Sequence, residues 1–115
     1  MKKIIIIVAL ALNSVAAFGH ADHAPRVAKC AAKECTKLEI ESAAPMAIGM
    51  LSQSGKIESG WTSAKIEKIE LKQFSKAHEW VVTLFDSKKS DKAKQRLYIF
   101  ITTMGFLNGA NSTGE

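Results

Sequence analysis

The stretch VAAFGHADH, residues 15–23, holds the residues with the most chemistry to offer. A cut by an exporting peptidase after Ala17 would leave a chain that begins Phe18, Gly19, His20, with a histidine third behind a free amine. That arrangement supplies four nitrogens in one plane: the amine, two deprotonated backbone amides and the imidazole. Cu(II) and Ni(II) favour such coordination. The amide protons must leave, so binding would fade in acid. Cuts after Gly19 or Ala21 satisfy the same small-residue rule. Either would destroy the motif and leave His20 or His23 to bind more loosely. Phe18, His20 and His23 are therefore the candidate metal set, weighed against a solvated, histidine-bearing tail, which is the weightier reading.

Cys30 and Cys35, in CAAKEC, are the second pair with chemistry. In an oxidising compartment neighbouring thiols tend to be joined. Positions five apart face different ways on a regular helix, so a bridge here implies a turn or a broken helix. Closing so small a loop stabilises by only about 2 kcal/mol in the chain-entropy model. A bridge that is dispensable for the fold is the expectation; metal ligation and free thiols are the alternatives. The spacing is not the C-x-x-C of thioredoxin-type sites.

The remaining candidates read more simply as structure. Met46 and Met50 are one helical turn apart and could offer soft thioethers to Cu(I), but such a pair usually packs at the flank of a core. His78 stands alone before Trp80. Lys88, Lys89, Lys92, Lys94 and Arg96 cluster in a connection that could touch an acidic partner or anionic headgroups, and a solvated loop is the simpler reading. Asn111, Ser112 and Thr113 form a glycosylation sequon that reads as accidental. No nucleophile with a base, no carboxylate pair in an apolar run and no phosphate-cradling glycine loop is visible. A catalytic role is not expected.

The elements that must position these residues follow from the patterning. Residues 1–17 run from MKK through IIIIVALAL to Val15, Ala16 and Ala17, the order of a cleaved signal peptide. The apolar run falls short of the ~20 residues that cross a bilayer. Cleavage takes the net charge from +5 to +3, too mild to suggest nucleic acid, and leaves roughly 98 residues, enough for one domain with one core. No membrane span remains after processing. Residues 18–37 are expected to be a flexible tail, and 38–115 the folded domain.

Within that domain IESAAPMAIGMLSQSG reads as a helix. Ala44, Ala47, Ile48 and Leu51 share a face, Ser42 is placed to cap the start, Pro45 to sit in the first turn and Gly55 to end it. From Thr62 the period becomes two. Ala64 and Ile66 are even while Ile69 and Leu71 are odd, which predicts a bulge near Glu67 or Lys68. EWVVTLF, RLYIFITT and FLNGANST supply three further strands, with a tight turn at Gly105. The fold class is α+β, one main helix on a four-stranded antiparallel meander. Trp61, Trp80, Leu97, Ile99 and Ile101 should share a core with Ile48 and Leu51. Lysines along the first strand suit an edge.

This pattern resembles the PepSY-like proteins, and more narrowly a family of small exported bacterial proteins of unknown function. The carrying residues are Gly55-Lys56-Ile57 with Trp61 beyond, EWVV at 79–82, LYIF at 97–100, Gly105, and Ala110, Asn111, Thr113 and Gly114. The chain departs from the pattern at Met104, where an acidic turn residue is common, and at Ser112, where an aromatic is common. The resemblance spans about residues 40–115. It implies a periplasmic or secreted location and a non-catalytic binding or regulatory role toward a peptide or envelope protein. A small copper- or heavy-metal-binding accessory protein is the alternative.

Overall fold

The computed structural model describes residues 24–115. The signal peptide expected over residues 1–17 and the candidate metal set Phe18, His20 and His23 lie outside them. Among the described residues one α-helix, α1 (Lys37–Gln53), is followed by a 3-10 turn at Ser59–Ser63 and four strands: β1 (Lys65–Gln73), β2 (His78–Phe85), β3 (Arg96–Thr102) and β4 (Leu107–Asn111). The strands pair in sequence order, each antiparallel to the next. The expected α+β layer, one main helix on a four-stranded meander, is thus present. β1 and β4 are its edges.

The helix begins earlier than its apolar face suggested. Thr36 is the N-cap: its hydroxyl accepts the Glu39 N–H at 3.2 Å, and the Glu39 carboxylate accepts the Thr36 N–H at 2.9 Å. This reciprocal capping box outranks Ser42, which lies inside the helix. Pro45 therefore sits in the helix interior, not in the first turn. Its missing N–H leaves the Glu41 carbonyl without its helical donor. Both residues are exposed, so water can take that place. Ser54 closes the helix and Gly55 follows at φ 76°.

The buried side of α1 carries Ile40, Ala43, Ala44, Ala47, Ile48 and Leu51. Three alanines keep that face low, so the helix lies close to the sheet. Opposite it, Val82 stands in register between Ile69 and Ile99, and Leu84 pairs with Leu97. These residues form one core with Trp61 and Ile101; Trp80 packs at its margin. The core expected from the sequence is the observed one. On the other face Val81 and Thr83 are also buried, flanked in register by Phe100 and Tyr98. Phe74 meets the Phe100 ring edge-on at 5.8 Å, and Gly114 is buried beside the Tyr98 ring.

The expected bulge falls between Ile66 and Lys68. A second one, between Phe100 and Ile101, sets Asn108 outside the β3–β4 ladder, since Gly109 pairs with Phe100 and Leu107 with Ile101.

The part of residues 18–37 that is described does not behave as a loose tail. Arg26 bridges Phe106, Val27 and Ala28 are buried, and their N–H groups donate to the Gly105 carbonyl at 2.8 and 3.2 Å. The Pro25 carbonyl accepts the Leu107 N–H at 2.8 Å. A non-local turn thus supplies the partners that composition alone did not reveal.

Cys30 and Cys35 are joined in a disulfide, with Cα atoms 5.0 Å apart. Glu39 holds the same loop from its other side, accepting the Ala31 N–H at 2.9 Å as well as that of Thr36. These two backbone donors, Ala31 first, hold the Glu39 carboxyl below its ordinary value of 4.5. A carboxylate with a lowered folded-state value contributes stability that is present above 4.5 and lost as the pH falls through the folded value. Glu39→Gln keeps an oxygen acceptor but removes the titration. Urea unfolding from pH 7 to pH 3 should show the parent more stable than Glu39→Gln near neutrality, with the difference closing below 4.5. Parallel curves would exclude the clamp.

Candidate functional site

At the Phe85–Arg96 end of the sheet, three segments distant in sequence enclose a groove of about 510 Å³. The turn after α1 contributes Lys56, Ile57, Glu58 and Trp61. The β2–β3 connection contributes Lys89, Asp91 and Lys94, followed by Arg96 and Leu97 of β3. Ala110 and Asn111 of the β4 edge and the following Ser112 close it.

Trp61 is fixed by the short 3-10 turn, whose backbone bonds run from the Trp61 N–H to Glu58 and from the Ala64 N–H to Trp61. The ring is buried against the core, and its outward surface carries Lys89, whose Nζ lies 4.9 Å from a ring centroid. A cation over an indole face is the favourable geometry of that pair. The same Nζ donates to Glu58 Oε1 at 2.7 Å. Lys89 is itself held by Gln95, whose amide donates to the Lys89 carbonyl at 2.9 Å. Asp91 caps the turn at Lys92–Lys94 by accepting the Ala93 N–H at 3.0 Å.

Arg96 is committed elsewhere. It lies 4.7 Å over the Phe85 ring and donates two bonds of 2.7 Å to the Glu67 carboxylate. Asn111 is committed too, since its Oδ1 accepts the Thr113 and Gly114 N–H groups and folds the C-terminal turn. The sequon thus serves as a turn. Lys56 and Lys94 have no ion-pair partner among the described residues. The bond from Lys89 comes first in holding the Glu58 carboxyl below its ordinary value, and the charge of Lys94 adds to it. The groove therefore has an apolar floor of Trp61, Ile57, Leu97 and Ala110 under a rim with two unpaired cations.

Sequence reasoning placed Trp61 in the core and the lysine cluster in a solvated loop. The first holds; of the cluster, Lys88, Lys92 and Lys94 are exposed, while Arg96 belongs to β3 and the loop folds back so that Lys89 covers the tryptophan. No local pattern carries that contact, which joins residues 61 and 89.

The other candidates lie apart from this groove. His78 stands exposed at the opposite end of β2, about 23 Å away at ordinary strand rise. Met46 is exposed and Met50 packs at the core margin. Among the described residues, Cys30, Cys35 and Glu39 alone come close enough together to hold a metal. Both sulfurs are consumed by the disulfide and both Glu39 oxygens accept N–H bonds.

A disulfide-bearing α+β module with a basic-rimmed, aromatic-floored groove is the class that fold and site define. The chain belongs to the family of unknown function DUF6488, whose model matches residues 1–115. No curated protein and no solved structure matches it.

Proposed function

We propose that this chain is an exported, non-catalytic binding module of the bacterial envelope that recognises a peptide or an envelope protein through the Trp61 groove. The groove carries the reading: an apolar floor beside a sheet edge, under cations left without partners, suits the docking of a partner segment. Export is supported by the order of charged, apolar and small residues over 1–17 and by the Cys30–Cys35 disulfide, the form that thiols reach outside reducing compartments. Among the described residues no helix is long and apolar enough to cross a membrane. The PepSY-like order of elements fits the same role.

A photo-crosslinking residue placed at Ser112, on the groove wall, tests this against one placed at Lys72, exposed on the far strand β1. In the host envelope Ser112 should yield a discrete protein adduct that disappears in Lys94→Glu. Equal adducts from both positions, or none from Ser112, would overturn the assignment.

A further inference from the structure

We infer that the Trp61 groove recognises acidic side chains of an extended peptide segment, and that Glu58 occupies one carboxylate position in the unliganded protein. The inference deepens the binding role proposed above and rests on it. Three observations carry it. Lys89 lies between the Trp61 ring at 4.9 Å and a carboxylate at 2.7 Å, a built carboxylate-binding position inside the groove. The carboxylate filling it belongs to Glu58, whose side chain is 78% exposed and has no other bond among the described residues. Among the described residues Lys89 is its one hydrogen-bond partner, with the charge of Lys94 nearby.

Lys56 and Lys94 line the same groove, exposed and without ion-pair partners among the described residues, so further carboxylates would meet free cations there. Four cations, Lys56, Lys89, Lys94 and Arg96, line the groove against two carboxylates, Glu58 and Asp91, so charge complementarity selects an acidic occupant, and more than one cation selects side chains along a segment over a single chain terminus. The apolar floor adds a preference for aliphatic residues between the acids, since an extended chain turns successive side chains to opposite sides, one set to the floor and the other toward the rim.

An incoming glutamate that takes the Lys89 position must displace Glu58, which leaves for solvent. The ion pair is therefore an internal competitor. An exposed pair of this kind is weak, and its removal should tighten binding about threefold.

Fluorescence anisotropy of a fluorescein-labelled, amidated hexapeptide alternating glutamate and isoleucine, titrated with the oxidised chain lacking residues 1–17, provides the test. Binding by the parent, tightening about threefold in both Glu58→Gln and Glu58→Ala, and weakening in Lys56→Met and Lys94→Met are expected. The glutamine counterpart should not bind. Unchanged or weaker binding in both Glu58 variants would overturn the competitor. Equal binding of the glutamine peptide, or of that peptide only with a free C-terminal carboxylate, would overturn recognition of acidic side chains. Binding to phosphatidylglycerol vesicles with no binding of the glutamate peptide would assign the groove to a membrane surface instead. A Ser112 adduct in the envelope combined with no binding of the glutamate peptide would remove the acidic ligand and leave the binding role standing.

Discussion

Ile99→Ala should lower stability by about 2 to 5 kcal/mol, the range for removing a large aliphatic side chain from a packed core. Ile99 has no exposed surface, lies on the central strand β3 and stands in register with Val82 on one side and Ala110 on the other. Ile99 shares its buried cluster with the small residues Ala43, Ala44 and Ala47 of α1, which cannot extend into the space vacated. A domain of this size loses roughly 4 to 8 °C in melting temperature per kcal/mol, so a drop of about 10 °C or more is expected. Leu71→Ala is the control. It removes comparable hydrocarbon from the edge strand β1, where the side chain is already 47% exposed, and should cost about 1 kcal/mol or less. Calorimetric melts of both, beside the parent, decide the matter. Equal shifts would mean that Ile99 is not part of the packed core as described.

The contrast between these two positions also shows what the sequence could convey. Alternation in KIEKIELKQ reveals which residues share a face, and the even-to-odd slip reveals the bulge between Ile66 and Lys68, because both are properties of neighbouring residues. The helix end at Gly55 is legible for the same reason. The helix start was readable too, in the Thr36-x-x-Glu39 capping box, but the apolar periodicity and Pro45 pointed to a later start. An interior proline removes one helical hydrogen bond and crowds the carbonyl four residues earlier, but on this exposed face water can reach the carbonyl it leaves free.

The candidate groove was much less legible. Its tryptophan, its lysines and its β4 wall come from three segments, and what joins them is the folding of the β2–β3 connection back over the 3-10 turn. Lys89 in the sequence is one lysine among several. Only the contact with Trp61 and Glu58 distinguishes it. The docked segment 25–28 was hidden for a related reason: Pro25, Arg26, Val27 and Ala28 show no periodicity, and their partners lie on a turn about 80 residues later.

That turn carries the second large effect. Gly105 has φ 94°, a conformation that residues with a Cβ adopt only under strain of about 1 to 2 kcal/mol. Its N–H donates to the Thr102 carbonyl at 3.0 Å, and its own carbonyl accepts from Val27 and Ala28. A Cβ placed at Gly105 would run into the carbonyl oxygen of Ala28, with the Ala28 carbonyl carbon 3.1 Å away. Backbone cannot swing aside as the tip of a flexible side chain can. Gly105→Ala therefore adds an overpacking cost of about 1 to 3 kcal/mol to the conformational strain. The least costly relaxation is for residues 25–28 to lift from the turn, which gives up the buried positions of Val27 and Ala28 and the stacking of Arg26 over Phe106 at 4.7 Å. The expected result is a stability loss of about 2 to 5 kcal/mol, together with faster amide exchange at Val27, Ala28 and Leu107 and faster tryptic cleavage after Arg26 and Lys29. Gly60→Ala separates this from a general effect of adding a methyl group, because nothing lies within 4 Å of the new Cβ and the backbone there has no positive φ. It should stay within about 0.5 kcal/mol of the parent. If Gly105→Ala melts with the parent, or melts lower while exchange at Val27 and Ala28 is unchanged, the 25–28 segment is not held by this turn.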